Sequence, residues 1–586
     1  MSGPKFVSPS RIARYYFLEC ERFLRYSSTP SSDRRAESIP SAAFETRPVD
    51  RAVLERGYLW EERALSELLG DTVHIADDAT GSTRVRDRAH SADRTNALLA
   101  TLEPGRSIYQ ATLRVPTAFY ERYGFDPEVV RFSDCRPDLI EAVAGPSTGL
   151  RVTDLKASRG LRLSHRIQAA LYTLILRDVV ADLSLADRQV LLDPAIWLVD
   201  DPAPEPFDIR SILPPLEQFL ERELGALLAR PADAARWHLQ PRCESCSYVE
   251  HCMAQMHRDD DVSRFPYLTG HAKARLADLE PPVRTVENLR ALLADPARRP
   301  SLDSIGSMRG RIDRLDNQVR SLIEQRPIAI GANSLAMPVG EHVRIVLSLQ
   351  TEPVTGHIYC WAVTVQGLRG LIEPNPFTAS DVAASSAPDE VRRLERGLVS
   401  TLHRLLSAVH DFNAACGEDW KAKKTLQAYV YDTYEVALLT GVLTRGLDDP
   451  EIADRAMAVF FHFHRPELIE ATEHPQTQAA FPVVVLTSVI RSLLALPVEV
   501  TYHFAEVSRL LPRPDRPFEY RDLSFFDYEL SNQLRPDAIY GLWHRGEGER
   551  SGQIRQVLEA RVWAASALVD GVRAALDALA PGALFA

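Results

Sequence analysis

The chain lacks long apolar runs, a signal-peptide pattern and a phosphate-binding P-loop. A membrane-spanning helix needs roughly 18 consecutive apolar residues, and no such run occurs in the sequence. The first residues, MSGPKFVSPSRIARYYF, contain neither an apolar core nor a small-residue cleavage site. We therefore expect a cytoplasmic protein with no membrane partner. The motif G-x-x-x-x-G-K-[ST] is also absent, which argues against a nucleotide-hydrolysing motor.

Excess positive charge is missing as well, and cysteine is scarce. The formal net charge of −12 argues against a protein that coats nucleic acid through bulk charge, although it permits a local basic groove. With 45% apolar and 25% charged residues, the composition is that of a globular protein, and its length predicts roughly two to four domains. In a reducing compartment, the seven cysteines favour metal binding over disulfides.

Four of the cysteines form a pattern typical of metal ligands. Cys243, Cys246 and Cys252 follow the spacing C-x2-C-x5-C, and Cys20 lies far upstream. Four thiolates suffice for Zn²⁺ and equally for an iron–sulfur cluster, so the spacing alone leaves the metal open. The remaining cysteines are expected to be small buried apolar residues: Cys135, Cys360 and Cys416.

Helical and strand-like patterns alternate between these cysteines, which predicts an α/β domain. A helix is expected over 8–26, and a second one ends at Gly70. Alternating patterns predict strands between 107 and 156, with GPSTG as a hairpin turn. An amphipathic helix over LSHRIQAALYTLILRDVVADL follows, then a strand in QVLLDPAIWLV and a helix at 212–229.

The predicted hairpin carries residues suited to phosphodiester hydrolysis. Asp138 and Asp154 would lie on its paired strands, and carboxylates are ligands that Mg²⁺ prefers. Lys156 is two residues beyond Asp154, so both side chains face the same side of a strand. The lysine would orient water or stabilise charge. Glu61, on the preceding helix, would add a third carboxylate. The alternatives are an exposed ion pair for the strand residues and a surface role for Glu61 or Glu62.

The following helix presents a further polar pair. Gln168 and Tyr172 are four residues apart and share one helix face, where they would contact a phosphate or a metal-bound water. Tyr172 on an apolar helix is alternatively a simple core residue. His165, three residues before Gln168, is the one histidine placed near this face.

Taken in order, these motifs resemble those of the PD-(D/E)xK nucleases of the RecB family, in the iron–sulfur branch that includes AddB-type and CRISPR-adaptation exonucleases. The resemblance covers roughly residues 5–255. The matching motifs are Gly57-x3-Glu61, Arg136-Pro137-Asp138, Asp154-Leu155-Lys156, Gln168-x3-Tyr172 and the four cysteines.

The resemblance implies a fold, a cofactor and roles for the residues. It implies a restriction-endonuclease-like mixed sheet flanked by helices. It implies Mg²⁺ or Mn²⁺ bound by Glu61, Asp138 and Asp154, catalysis assisted by Lys156, and phosphate positioning by Gln168 and Tyr172. It also implies a 4Fe–4S cluster on the four cysteines, with a structural role.

The rest of the chain predicts a helical segment and a second α/β domain. The expected boundaries are 1–258, 259–325 and 326–586. In the middle segment, PYLTG would be the turn of a helix–hairpin–helix element, or the segment is a plain helical linker. The last segment opens with a strand pair that resembles the ribonuclease H-like DEDD exonucleases.

The second domain is expected to be catalytically degenerate. The positions of the metal-binding D-x-E are held by Ser348 and Gln350, which supply no anionic oxygens. Asp432 and Glu435 are either relics of a later motif or ordinary acids at a helix start.

Together these features predict a metal-dependent deoxyribonuclease acting on single-stranded ends or flaps, in DNA repair or in defence against foreign DNA. Its partners would be DNA and a separately encoded helicase or ATPase. One alternative is a non-catalytic DNA-binding or assembly subunit that uses the nuclease fold as a scaffold. The other is an RNA-directed nuclease, although no motif for stacking unpaired RNA bases is visible.

Overall fold

The computed structural model of the chain consists of two compact units, the first ending at Gln255 and the second beginning at Met256. The predicted three-part division at 258 and 325 stays a prediction. Within the described part of the chain, no helix is both long and apolar enough to cross a bilayer. The residues that the structure describes are 3–41, 57–77, 88–158, 160–199, 201–330, 337–338, 340–352, 356–367, 374–463, 483–511, 540, 543 and 551–579.

The first unit combines short strands with helices of very different length. Its strands are β1 (Lys5–Val7), β2 (Val73–His74), β3 (Ser107–Tyr109), β4 (Val130–Phe132), β5 (Leu139–Val143), β6 (Thr148–Lys156), β7 (Arg188–Val190), β8 (Ala195–Leu198) and β9 (Glu205–Pro206). Its α-helices are α1 (Pro9–Leu18), α2 (Glu21–Ser28), α3 (Ser31–Arg34), α4 (Ala92–Thr101), α5 (Thr117–Tyr123), α6 (Leu163–Asp182), α7 (Leu213–Gln218), α8 (Gly225–Ala229) and α9 (Val249–Arg258). Residues 57–63 are also helical and continue as a π-helix over Ala64–Leu69.

The main sheet of this unit is mixed, which confirms the predicted α/β class. Its strands follow the order β2-β3-β5-β6-β8-β9, and β7 also pairs with β6. The predicted hairpin is the antiparallel pair β5–β6, in which Leu139 lies opposite Thr153. Strand β8 runs parallel to β6, and helix α6 connects them. Because α6 packs on the sheet and on α1, it is buried over most of its length, and the expected amphipathic pattern is weak.

Several predicted elements are broken where the backbone changes direction. The helix expected over 8–26 is two helices, because Glu19 adopts a left-handed conformation (φ 51°) that ends α1. Cys20 then lies at the N-cap of α2. The strand expected at SIYQATLRV ends at Tyr109, because Gln110 has a φ of 47°. The strand expected at QVLLDPAIWLV is interrupted between β7 and β8.

The second unit contains helices followed by a second sheet. Its helices are α10 (Gly270–Ala277), α11 (Val286–Ala294), α12 (Ile312–Glu324), α13 (Pro388–Ala415), α14 (Thr433–Leu447), α15 (Ala453–Phe463), α16 (Leu486–Leu493), α17 (Phe504–Leu510) and α18 (Ser551–Leu579). Its strands are β10 (Ile328–Ala329), β11 (Val343–Thr351), β12 (Ile358–Gln366), β13 (Phe377–Val382), β14 (Leu426–Val430), β15 (Val483–Val485) and β16 (Leu494–Ala495).

The second sheet has the order β13-β12-β11-β14-β15. Strands β11, β12 and β13 are antiparallel neighbours, whereas β14 is parallel to both β11 and β15. Strands β11 and β12 are buried on both faces. Helices cover the sheet, and α13 and α18 both pack on β12. This explains the nearly continuous apolar sequences of β11 and β12.

The helical segment differs from the predicted helix–hairpin–helix arrangement. The residues of PYLTG join a short 3₁₀ turn, Val262–Arg264, to α10. The two consecutive helices α10 and α11 are connected by residues 278–285 instead. PYLTG is therefore not the turn between α10 and α11. It leads into α10 instead, and the hydroxyl oxygen of Thr269 caps the N-terminus of that helix.

Two glycines with positive φ separate the effect of backbone conformation from that of close packing. A Cβ on Gly367 (φ 85°) would lie 1.9 Å from the carbonyl oxygen of His342, whereas a Cβ on Gly310 (φ 67°) would meet nothing within 4 Å. We expect Gly367→Ala to lower the free energy of unfolding by about 3 kcal/mol and Gly310→Ala by about 1 kcal/mol. Urea unfolding checks this, and equal losses in the two variants would refute the packing argument.

Candidate active site

The β5–β6 hairpin brings two aspartates and a lysine together. Asp138 directly precedes β5, while Asp154 and Lys156 lie on β6 and face the same side of the strand. The backbone N–H of Leu155 donates to Asp138 Oδ2 at 2.8 Å. Lys156 Nζ lies 2.5 Å from Asp154 Oδ2, an oxygen that makes no hydrogen bond of ordinary geometry. The hairpin register thus places the predicted residues in one site.

The charges in this site are strongly coupled. Burial and the neighbouring Asp154 carboxylate raise the pKa of Asp138 well above its ordinary value, and the two carboxyl groups are close enough to share a hydrogen bond. Burial would lower the pKa of Lys156, but the Asp154 and Asp138 carboxylates outweigh it and raise the pKa. Two carboxylates so close together disfavour each other's ionisation, and a cation between them would relieve the repulsion.

Glu61 also belongs to this group of charges. Its Oε2 accepts a hydrogen bond from the Tyr109 hydroxyl at 2.7 Å, and its carboxylate contributes to the pKa shifts of Asp138 and Lys156. The helix that carries Glu61 is anchored on the sheet by its neighbour Trp60. The indole N–H of Trp60 donates to the carbonyl oxygen of Trp197 at 3.3 Å, and the two rings pack edge to face.

Sequence reasoning missed Gln110. Its amide Nε2 donates to Asp138 Oδ1 at 3.2 Å, and its backbone N–H donates to the Asp138 carbonyl oxygen at 3.0 Å. A φ of 47° is uncommon for a residue other than glycine, and such conformations concentrate at functional sites. Nothing in the segment SIYQAT signals this conformation.

Helix α6 presents the predicted glutamine, tyrosine and histidine to the same carboxylates. The amide of Gln168 donates to the Tyr172 hydroxyl at 3.2 Å. Burial and the Asp154 and Asp138 carboxylates raise the pKa of Tyr172 well above its ordinary value. Burial and the nearby Lys156 ammonium lower the pKa of His165 to about 4. Tyr172 is therefore buried, as its core interpretation requires, and also close to the acids.

The segments that carry the four predicted cysteine ligands are joined by hydrogen bonds. Cys243 lies in the 3₁₀ turn Pro241–Ser245, and the N–H of Cys246 donates to the Cys243 carbonyl oxygen at 2.9 Å. Cys252 lies on α9. Cys20 is joined to this segment because the side chain of Gln240 donates to the carbonyl oxygen of Leu18 at 2.6 Å.

The thiols are buried and lie close enough to affect one another. All four cysteines are buried, and none of the chain's cysteines forms a disulfide. Burial, together with the thiols of Cys252, Cys243 and Cys246, raises the pKa of Cys20 to about 12. The buried guanidinium of Arg22 donates to Cys252 Sγ at 3.4 Å, so a positive charge faces a sulfur that would be negative as a metal ligand.

Neither site is closed around a metal. Across the described ranges, no three His, Cys, Asp or Glu side chains converge closely enough to hold an ion as they stand. The donor chemistry nevertheless suits the metals implied by the sequence. Asp138 and Asp154 supply carboxylate oxygens of the type that Mg²⁺ prefers, and the four buried thiols are sulfur ligands of the type that zinc and iron–sulfur clusters use.

Comparison with protein-family models, curated proteins and solved structures gave no match to the chain. The mixed α/β class therefore rests on the two sheets themselves. The assignment to a nuclease family rests on the motifs of the sequence and is carried forward as a proposal.

A buried arginine of helix α18 contacts the second sheet where the resemblance expects metal-binding acids. Ser348 and Gln350 point to one side of β11, and both are buried. Ser348 Oγ accepts from Arg561 Nε at 3.1 Å and donates to Glu435 Oε1 at 3.1 Å. Burial would lower the pKa of Arg561, but Tyr434, Glu435 and Asp432 raise it.

Asp432 and Glu435 are thus more than ordinary helix-start acids. They form a capping box at the start of α14, and their carboxylates also raise the pKa of the buried Arg561. A permanent cation supplied by α18 therefore lies beside Ser348 on β11 and acts on both carboxylates.

The buried guanidinium has a measurable consequence for stability. Arg561→Met should lower the free energy of unfolding by roughly 3–5 kcal/mol, because it removes the positive charge that Arg561 places near the buried carboxylate of Glu435. Arg555→Met is the matched control on the same helix. Its exposed ion pair with Asp381 should contribute less than about 1 kcal/mol. Urea unfolding of the two variants tests the difference, and an equally small effect of both would argue against a structural cation.

Proposed function

We propose that this chain is a divalent-metal-dependent deoxyribonuclease whose catalytic site is the cluster formed by Glu61, Asp138, Asp154 and Lys156. The observation that carries the proposal is the close pair of carboxylates beside a charged lysine on one hairpin. Such a pair is costly unless it binds a cation. The polar side chains of Gln168 and Tyr172 on the adjacent helix support the same assignment.

The carboxylates would hold Mg²⁺ or Mn²⁺, with Glu61 oriented by Tyr109 and Asp138 oriented by Gln110. When bound, the metal polarises the phosphoryl oxygen and activates water. Lys156 keeps its proton beside Asp154, so it can donate a hydrogen bond to the attacking water or to the developing negative charge. Gln168 offers amide hydrogens that can bind a phosphate oxygen.

His165 has a narrower role in this proposal. With a pKa lowered to about 4, its imidazole is neutral at physiological pH. It therefore contributes no positive charge for phosphate binding there, but it can accept or donate a hydrogen bond at the edge of the site.

The cysteines would hold a 4Fe–4S cluster or Zn²⁺ with a structural role. They join α2 to the segment that ends the unit, and closing a long loop removes conformational entropy from the unfolded chain. The Arg22 guanidinium, which already donates to Cys252 Sγ, would offset part of the negative charge of four thiolates.

The arrangement of the strands and helices in each unit supports a specific fold within the α/β class. A mixed sheet flanked by α1, α6 and the helix of Glu61 suits a restriction-endonuclease-like domain. The antiparallel hairpin β11–β12, extended by the parallel strand β14, suits a ribonuclease H-like domain. The Arg561 cation supports the hypothesis that this second domain is catalytically degenerate and serves as a platform.

The proposed substrate is DNA with single-stranded ends or flaps, and the proposed partner is a separate helicase or ATPase. We expect that partner to co-purify with the chain from its native host. Recovery of the chain without any ATPase activity would count against this partner, but it would leave the nuclease proposal untouched.

Removal of the lysine tests the catalytic site. Lys156→Ala should reduce Mg²⁺- or Mn²⁺-dependent cleavage of end-labelled DNA at least about 100-fold, because the site loses its charge-stabilising group. Arg151→Ala is the matched control, since Arg151 lies on the opposite face of β6 and pairs with Asp193. We expect that variant to retain cleavage.

The opposite outcome is that the unchanged chain and Arg151→Ala are both folded and neither of them cleaves DNA. That result would favour the non-catalytic scaffold. Parallel reactions on RNA of the same sequence separate the two nucleic acids. Stronger cleavage of RNA would favour the RNA-directed alternative.

Metal analysis tests the cysteine site independently of activity. Protein purified without oxygen should contain about four iron atoms per chain for a 4Fe–4S cluster, or about one zinc atom if the four thiolates bind zinc. Cys246→Ser should lose the metal and lower the free energy of unfolding. Cys135→Ser, which alters another buried cysteine of the same unit, should keep the metal. If both variants keep the metal, the assignment of the four cysteines as ligands is contradicted.

A further inference from the structure

The second unit contains a cavity that no part of the proposed nuclease function uses. It has a volume of about 130 Å³ and lies beside the start of α12. Three arginines reach it from two segments of the chain: Arg311 and Arg314 at the start of α12, and Arg491 near the end of α16. The lining also includes Tyr267, Gln318 and Tyr502.

Within the part of the chain that the structure describes, no carboxylate pairs with the three arginines. Arg311, Arg314 and Arg491 are exposed, and none of them forms an ion pair with a described residue. Other arginines of the unit are paired: Arg264 contacts Asp260 and Glu499, and Arg320, on the same helix as Arg314, lies 3.4 Å from Glu324. The three arginines of the cavity differ in this respect from these paired arginines.

The positive charges of the three arginines also repel one another. Burial, Arg491 and Arg311 lower the pKa of Arg314, and only Tyr502 acts in the opposite direction. Cations at the start of a helix are further disfavoured by the helix dipole. The carboxyl group of Asp432 is influenced by Arg491, but its Oδ1 accepts from the hydroxyl of Thr487 at 3.0 Å. An anion in the cavity would relieve this repulsion.

Hydrogen bonds link the residues that form the wall of the cavity. The Tyr502 hydroxyl donates to Gln318 Oε1 at 2.7 Å, and the Tyr502 backbone N–H donates to the Tyr267 hydroxyl oxygen at 3.2 Å. Tyr267 and Val500 both have positive φ values, 57° and 62°, and the N–H of Tyr267 donates to the Val500 carbonyl oxygen at 2.9 Å. A positive φ is rare for a β-branched residue, so the surrounding contacts hold this wall in one conformation.

The Tyr267 ring of the cavity is already engaged. The Arg491 guanidinium lies 3.7 Å from the centroid of the Tyr267 ring, and Tyr502 stacks on the same ring at 5.9 Å. The cation–π contact fixes Arg491 in place and leaves little of the ring for a nucleic-acid base. The cavity therefore suits recognition of negative charge rather than of a base.

We propose that Arg311, Arg314 and Arg491 form a second anion site, which binds a phosphate group. Guanidinium groups suit this ligand because their N–H groups pair with phosphate oxygens in a planar, bidentate manner. The phosphate is supplied either by the backbone of a nucleic-acid strand or by free phosphate. The site lies outside the carboxylate cluster, so it does not depend on the nuclease activity.

The test measures binding to the full chain in EDTA, where no divalent metal supports cleavage. A fluorescent single-stranded DNA oligonucleotide is titrated at several salt concentrations, and inorganic phosphate is titrated by calorimetry. The variant is Arg311→Gln/Arg314→Gln/Arg491→Gln. Arg320→Gln is the matched control, because its side chain lies on the same helix and is paired with Glu324. Single Arg314→Gln serves if the triple variant fails to fold.

For a strand ligand, the slope of log K against log salt concentration should fall by about 0.7 per lost phosphate contact, and so by about 2 in the triple variant. The control should keep the original slope. For free phosphate, calorimetry should show binding that the triple variant loses, with unchanged oligonucleotide affinity. If oligonucleotide and phosphate binding are the same in the unchanged chain, the triple variant and the control, the site does not exist. That result leaves the cleavage test of Lys156→Ala unaffected.

Discussion

The close approach of the Asp138 and Asp154 carboxyl groups is the constraint on which the candidate active site depends. Two partly buried acids repel each other when both are ionised, and the surrounding contacts reduce that repulsion. Lys156 supplies a positive charge beside Asp154, while Gln110 and the N–H of Leu155 donate to Asp138. Every other feature of the site is arranged around these charges.

In the second unit, the negative charge of two neighbouring carboxylates is balanced in a different way. The carboxylates of Asp432 and the buried Glu435 interact electrostatically with the guanidinium of Arg561, which belongs to the protein itself. The first unit keeps a cluster of acids that suits an exchangeable cation, whereas the second carries a permanent one. If the two sheets descend from metal-dependent nucleases, as the motifs suggest, Arg561 gives a physical reason why only one unit would retain catalysis.

Much of the local structure followed from the sequence. The hairpin β5–β6 and the helix α6 were predicted correctly, because turn residues and apolar periodicity depend on near neighbours in the chain. The same reasoning failed at Glu19 and Gln110, where a residue other than glycine adopts a positive φ. It also failed at PYLTG, which precedes α10 and does not join two helices. Such conformations are imposed by packing and hydrogen bonds that the local sequence does not announce.

The sequence by itself determined the order of the acids, the lysine and the cysteines, and hence the chemistry that the chain offers. Only the tertiary structure decided which of these groups meet others. It joined Glu61 to Tyr109, Arg22 to Cys252 and Arg561 to Ser348. The last two pairs join residues more than 200 positions apart in the chain. Local periodicity carries no information about such partners, because their proximity depends on how whole helices and sheets pack.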